Sequence, residues 1–224
     1  MEVQYLGHSS FRLKGKDGVV ITDPYGGVGF SFPSAKADIV TVSHQHADHN
    51  NLVPVKPVKD GDKVFAITQA GEYDAKGITV FGYPTFHDSV EGAERGRNII
   101  FSIFVDDVHV LHLGDLGHTL TEKDLENFSD VDVLLCPVGG HFTIDPQQAV
   151  EVISAIEPKY VIPMHFKTAA HDVATYGELA TLEDFMTKFG KTVTPQDKLV
   201  INASKSAGEE EVETQLIVLE PKNA

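Results

Sequence analysis

Asp38-Ile39-Val40-Thr41-Val42-Ser43-His44-Gln45-His46-Ala47-Asp48-His49 is the stretch whose reading decides the fold. Its start, Asp38 to Val42, is an apolar run that reads as a buried strand ending at Ser43. Its last six residues place four metal-competent side chains on the loop leaving that strand's carboxyl end. Ligand sites of α/β folds are built at such ends. His44 and His46 are two apart, so an extended backbone aims both imidazoles the same way. Asp48 and His49 follow a turn of the chain and can face a second point in space. One short loop can thus supply ligands to two adjacent metal ions.

Outward from this loop, 224 residues are enough for one sizeable core, whereas two domains would be small. We expect a single domain over residues 1–224. Hydrophobic residues at 42% and charged residues at 23% are ordinary for a globular protein. No apolar stretch approaches the roughly 20 residues of a membrane helix. Met1-Glu2-Val3-Gln4-Tyr5-Leu6 lacks the basic start and long apolar stretch of a signal peptide, so the expected compartment is the cytoplasm. A lone Cys136 excludes an internal disulfide and a cysteine-rich zinc site. Its run Val131-Asp132-Val133-Leu134-Leu135-Cys136 makes it a buried strand residue rather than a catalytic thiol. A formal charge of −15, with no Lys/Arg-rich segment, argues against nucleic acid and anionic membranes as partners. A small, anionic substrate stays compatible, because bound cations make their own positive field.

Strand signals are dense at the start: Val3 to Leu6, Ser9 to Leu13 and Val19 to Thr22, with a Gly15-Lys16-Asp17-Gly18 turn. Residues 26–36 form a Gly/Pro/Ser/Phe loop, where Phe30 and Phe32 suit a lid or a subunit contact in a homo-oligomer. Further strands read at Lys63 to Ile67, Ile78 to Tyr83, Ile99 to Val105 and His109 to Leu113. Leu120 to Phe128 has helical spacing, with Thr121 as N-cap and Asp124 at the capping-box position. Asp145-Pro146 opens a helix running to Ile156, and a third spans Thr181 to Phe189, ending at Gly190. Strands follow at Tyr160 to Pro163, Leu199 to Asn202 and Thr214 to Leu219, with a solvated acidic turn over Ser204 to Glu213. The pattern suits an α/β (α+β) domain with two sheets face to face and helices outside.

Three further metal-competent residues stand at strand ends: His87 in Pro84-Thr85-Phe86-His87-Asp88, Asp115 in Leu113-Gly114-Asp115, and His165 in Pro163-Met164-His165. One histidine at a strand end is usually a plain loop residue. Several such residues in one chain carry more weight, because the strand ends of a packed sheet converge on one rim. His-x-His-x-Asp-His followed by His, Asp and His in that order resembles the signature of the metallo-β-lactamase-fold hydrolases, and Thr22-Asp23-Pro24 matches their preceding motif. Leu6-Gly7-His8-Ser9-Ser10, His112-Leu113-Gly114-Asp115-Leu116-Gly117-His118 and Pro137-Val138-Gly139-Gly140-His141-Phe142-Thr143-Ile144-Asp145 look like the branch of the ascorbate-6-phosphate lactonase relatives and bacterial zinc-dependent hydrolases. The resemblance extends from about residue 2 to about residue 203. It implies a four-layer αββα sandwich with two mixed β-sheets.

The resemblance also implies that His44, His46 and His87 hold one metal, that Asp48, His49 and His165 hold another, and that Asp115 bridges them. Asp23 matches the acid that hydrogen-bonds a ligand imidazole and fixes its tautomer. Imidazole and carboxylate suit borderline divalent ions, first Zn2+, with Mn2+ or Fe2+ as alternatives. Two ions roughly 3.5–4 Å apart share one water, giving a bridging hydroxide that attacks a small ester, lactone or phosphodiester. Asp48 is expected to act both as ligand and as orienter of that nucleophile. His141 is expected to bind substrate or protonate the leaving group, or else to cap the helix beginning near Asp145. His8 reads as a neighbour of the ligands or a rim residue, and His118 as a site neighbour or a helix flank. Arg95 and Arg97 are a candidate clamp for a carboxylate or phosphate, against pairing with Glu91 or Glu94. Lys167 is a candidate substrate contact, and His109 and His171 read as structural or exposed. The competing functions are a nuclease of the same fold and a non-catalytic metal-binding or sensing protein.

Overall fold

Period-two alternation of buried and half-buried residues from Glu2 to Tyr5 and unbroken burial in Val19–Thr22 show why the amino-terminal strands become sheet. The computed structural model describes residues 1–202 and 213–222. Its elements are β1 (Glu2–Gly7), β2 (Ser10–Lys14), β3 (Val19–Thr22), β4 (Ala35–Ala37), β5 (Ile39–Thr41), β6 (Val55–Pro57), β7 (Phe65–Ile67), β8 (Gly71–Ala75), β9 (Ile78–Phe86), β10 (Arg97–Val105), β11 (Val108–His112), α1 (Glu122–Leu125), β12 (Val133–Pro137), α2 (Pro146–Ile156), β13 (Tyr160–Met164), α3 (Val173–Tyr176), α4 (Leu182–Phe189), β14 (Leu199–Val200) and β15 (Gln215–Leu216).

Two mixed sheets form, in the orders β14-β1-β2-β3-β5-β7 and β15-β13-β12-β11-β10-β9-β8. Each begins as an antiparallel meander and continues in parallel: β3–β5–β7 in the first sheet, β11–β12–β13–β15 in the second. The pairing gives β1, β3 and β5 one direction in the first sheet, and β9, β11, β12 and β13 one direction in the second. Val3, Phe11, Leu13 and Ile39 of the first sheet share one core with Val80, Phe101, Ile103 and Leu111 of the second.

The second sheet carries the helices. Asp145 caps α2 through a capping box with Gln148, and Pro146 occupies the first turn. The helix buries Ala149, Val152, Ile153 and Ile156, the spacing of one helical face, and packs on β12 and α4. The first sheet's outer face is covered differently. Leu6, Ile21, Val40 and Val42 lie under the β4–β6 pair with Phe32 and Val64, and among the described residues every helix follows Thr121. The short parallel strands and the 26–36 loop do there what a helix does on the other side.

Most expected elements are present, with their caps. Thr121 and Asp124 form the capping box, but α1 stops at Leu125 rather than reaching Phe128, whose ring is drawn into the core. The expected strands near residues 199 and 214 shorten to two residues each. β4, β6, β8 and α3 had no periodic signal. β8 is half exposed, and β8–β9 is a hairpin closed by Lys76-Gly77, both left-handed at φ 55° and 68°. Of the expected acidic turn, residues 204–212 lie outside the described residues, and Glu213 pairs with Lys191 at 2.7 Å. Among the described residues no helix is long and apolar enough to cross a membrane.

Candidate metal centre

Seven strand ends build the site. β1 delivers His8, β3 Asp23, β5 the 44–49 loop, β9 His87, β11 Asp115, β12 His141 and β13 His165. Several of these residues turn sharply off their strands: His8, Asp23, His141 and His165 have φ of 54°, 36°, 54° and 52°. Left-handed backbone is uncommon for non-glycine residues and persists where surrounding packing over-determines it. Two glycines permit the crowding. A Cβ on Gly139 would lie 2.0 Å from the His165 carbonyl oxygen, and one on Gly114 would lie 2.3 Å from Asn98 Oδ1.

All seven expected ligand positions meet. His44, His46 and His87 form one group, Asp48, His49 and His165 with His8 a second, and His44, His49 and Asp115 a third, with ligand atoms in each within 4.8 Å of one another. Asp115 Oδ2 is the hub. It lies 3.2 Å from His49 Nε2, 3.3 Å from His87 Nε2, 3.3 Å from His165 Nε2 and 3.9 Å from His44 Nε2. His46 is the exposed member of the set and stands edge-on to His44.

The unpaired atoms test whether the pocket fits metal. His44 Nε2, His49 Nε2, His165 Nε2 and Asp115 Oδ1 are buried without a hydrogen-bond partner among the described residues. Buried polar atoms are normally satisfied. Imidazole nitrogens and a carboxylate converging on one point fit a divalent cation, which takes their lone pairs.

Electrostatics divides the imidazoles. Burial first, then the neighbouring His49, pushes His44 down to about 3. Burial and His165 hold His8 at about 3 as well. His49 goes the other way: burial opposes its charge, but Asp115 at Nε2 and Asp23 at Nδ1 outweigh it and raise its pKa. Burial raises Asp115 and Asp48, yet their imidazole neighbours prevail and keep both carboxylates ionised.

Asp23 is fully buried at the position expected of it. It accepts from His49 Nδ1 at 2.9 Å, from the Ser43 amide at 2.7 Å and from the Ser43 hydroxyl at 2.5 Å. The Ser43 hydroxyl also lies 3.0 Å from His44 Nδ1. His8 is a buried neighbour of Asp48, not a rim residue: its Nε2 is 3.3 Å from Asp48 Oδ2. His171 is buried too, and its Nε2 is 3.3 Å from His8 Nδ1.

Four supports escaped the sequence reading. Tyr176 donates to Asp48 Oδ2 at 3.1 Å from α3. Asn98 accepts from the Asp115 amide at 3.0 Å and donates to Leu113 O and Thr85 Oγ1 at 2.9 Å, fixing the turn that aims Asp115. His112 accepts from Gly114 N at 3.1 Å, so its Nε2 donates to Ser9 O at 2.9 Å and ties the rims of the two sheets. Asp88 accepts backbone amides of Val90, Gly92, Glu94 and Arg95 and organises the loop after His87. Those four hydrogen bonds overcome the opposing effect of burial and hold Asp88 down to about 2. An Asn or Asp after a strand end signals such a role in general, but nothing local names its partner.

The remaining candidates separate. His141 is exposed, its ring 4.4 Å from that of Phe142, and Asp145 rather than His141 caps α2. Phe142 in turn faces His165 at 6.4 Å, which puts it at the mouth of the cluster. Arg95 lies over the Phe142 ring at 5.7 Å and pairs with Glu94 at 3.7 Å, whereas Arg97 is exposed on β10. His118 accepts from Phe86 N at 3.4 Å and donates to Thr119 O at 2.9 Å, so both ring nitrogens serve the backbone. Lys167 donates to Gly177 O at 2.6 Å, and His109 is buried against Ser102. Phe30 and Phe32 pack inward on Tyr25, at 5.1 and 5.0 Å between rings, instead of forming an open lid.

Comparison with known proteins places this geometry. Residues 2–165 match the beta-lactamase superfamily domain. A metal-dependent hydrolase of Pyrococcus furiosus is 31% identical over 197 residues, covering 75% of this chain and 85% of its own. A crystal structure from Thermotoga maritima, assigned as a Zn-dependent hydrolase of the metallo-β-lactamase superfamily, aligns with TM-score 0.75 at 32% identity over 97% of each chain. A metallo hydrolase of Ignicoccus hospitalis shares the fold at TM-score 0.65 and 21% identity, over 90% of this chain and 99% of its own. The strand-end cluster, the two mixed sheets and these likenesses coincide, and the chain belongs to the metal-dependent hydrolases of the metallo-β-lactamase superfamily.

Proposed function

We propose that this chain is a dinuclear hydrolase of small, anionic esters, lactones or phosphodiesters. The carrying observation is the ring of four imidazole Nε2 atoms around Asp115 Oδ2, contributed by three separate loops besides the one bearing Asp115. In this reading His44, His46 and His87 hold one ion, Asp48, His49 and His165 the other, and Asp115 stands between. Zn2+ suits the donor set first, with Mn2+ and Fe2+ the alternatives. Two divalent ions held there supply a nucleophilic oxygen at neutral pH and Lewis-acid polarisation of the substrate.

The chain's own residues define the rest. Asp23 holds His49 with Nδ1 protonated, leaving Nε2 to face the cavity. Asp48 is held at Oδ2 by Tyr176 and His8, which keeps its carboxylate turned toward the same point. In this reading His141, exposed beside Phe142, gives a proton to a departing oxygen. Arg95 above Phe142 offers a cation to a charged group on the substrate. The formal charge of −15 disfavours a polyanionic nucleic acid but leaves a small anion free to enter.

The test combines metal analysis with a panel of esters, lactones and phosphodiesters, using His46→Ala as control. Two ions per chain with turnover lost in His46→Ala is the expected result. Two ions without turnover on any substrate would favour a binding or sensing role. Metal-dependent cleavage of labelled RNA, abolished by His46→Ala, would replace the small-molecule assignment with a nuclease.

A further inference from the structure

The geometry points to a directional hydrogen-bond chain, Thr168 to His171 to His8 to Asp48, in which His8 and His171 are positioning residues that set the grip of the second metal site. The inference rests on the dinuclear reading above for its metal consequence, and on hydrogen-bond geometry alone for its direction.

The direction follows link by link. The Thr168 backbone amide donates to His171 Nδ1 at 3.1 Å. A backbone N–H cannot accept, so His171 Nδ1 is the acceptor and a neutral ring carries its proton on Nε2. That Nε2 lies 3.3 Å from His8 Nδ1, which must then accept. The proton of His8 is thereby placed on Nε2, 3.3 Å from Asp48 Oδ2. A carboxylate accepts only, so the chain ends with a donation into Asp48.

Two further observations favour this use of His8 over direct ligation. A protonated Nε2 has no lone pair to give a cation, although the ligand-type atoms of His8, Asp48, His49 and His165 all lie within 4.8 Å of one another. Tyr176 donates to the same Asp48 Oδ2 at 3.1 Å. That oxygen therefore receives two protein donors from separate elements, which restrict the carboxylate's rotation. The loop after β13 closes the arrangement on itself. His165 donates its backbone N–H to His8 O at 2.9 Å, and His171, six residues on, fixes the His8 ring. One loop thus supplies a candidate ligand, His165, and the support for another, Asp48.

The consequence is selective. Partners of ligating carboxylates commonly change metal affinity by about 10–100-fold when removed. His171 acts one residue further out, so His171→Leu is expected to weaken the second ion by about tenfold and leave the first unchanged. His171→Gln keeps an amide donor toward His8 and restores the second ion. In a His8→Gln background the His171→Leu change has no further effect, because Gln donates to Asp48 without a tautomer to set.

Zinc and cobalt titrations against a chromophoric chelator read both affinities in the intact protein. Wild-type affinity in His171→Leu overturns the inference, as does equal weakening of both ions or failure of His171→Gln to recover. Fewer than two ions on the wild-type protein would instead overturn the dinuclear reading. If His171→Leu does not fold, nitrogen NMR of the imidazoles in metal-free wild-type protein decides the direction. Both rings are expected protonated at Nε2, and a protonated Nδ1 on either overturns the chain.

Discussion

The two trios of the site are built to different standards of support. His44, His46 and His87 have little behind them: the Ser43 hydroxyl touches His44 Nδ1, His87 Nδ1 is buried without a partner among the described residues, and His46 is open to solvent. In the other trio two members are braced, His49 by Asp23 and Asp48 by His8 and Tyr176, while His165 Nδ1, like His87 Nδ1, has no partner among the described residues. Outer partners fix a ligand's rotation and tautomer before the cation arrives. In the proposed dinuclear reading the braced trio would be a pre-set cage, and the trio bearing the exposed His46 would be its open side.

The largest effect belongs to the residue the trios share. Asp115→Asn leaves four imidazoles facing a neutral amide inside a buried cluster. We expect activity to be abolished, both ions to be lost, and the metal-free protein to lose about 3–5 kcal/mol, the usual cost of removing one partner from a buried charged group. Metal analysis and urea unfolding check this; retention of either ion would show that the trios do not depend on a common carboxylate. Next come the single ligands. His87→Ala is expected to lose one ion and His165→Ala the other, and equal loss of both in either variant would erase the division. Smaller again is Asp23→Asn, which keeps the shape but removes the charged acceptor from His49 and Ser43. It should weaken the braced site by about 10–100-fold and the open one by less, since Asp23 reaches His44 only through Ser43, as read by chelator competition.

How much of this is legible without a structure depends on where the information sits. The 44–49 cluster declares itself, because four ligands lie within six consecutive residues at a strand end. His87, Asp115 and His165 are legible only in combination, since each is one polar residue after an apolar run. Asp23 is found through its motif, and the buried helix face of α2 through its i, i+3, i+4, i+7 spacing. The braces are not legible. Tyr176 lies 128 residues from Asp48 on a helix of four residues, and His171 lies 163 residues from His8. Burial of His171 comes from packing against Phe30 and Tyr176, which no local periodicity encodes. β4, β6 and β8 are equally silent, because three residues or a half-exposed edge leave no alternation to count.

The smallest effect sharpens the comparison through opposite signs. His44, from the open trio, is held neutral: burial and the neighbouring His49 lower it from 6.5 to about 3. An unfolded chain takes up that proton near pH 6.5 while the folded chain refuses it. Its contribution to stability is therefore complete above pH 6.5 and is lost as pH falls toward 3, at up to about 1.4 kcal/mol per pH unit. His49, from the braced trio, is raised by Asp115 and Asp23 against the effect of burial. Its contribution is present below pH 6.5 and is lost as pH rises through its folded pKa. Urea unfolding of the metal-free protein between about pH 7.5 and 5.5 separates the two. Acid destabilisation should shrink in His44→Gln and grow in His49→Gln. Equal slopes in both variants would mean that the trios share one electrostatic environment, and the contrast between an open side and a pre-set cage would fail with it.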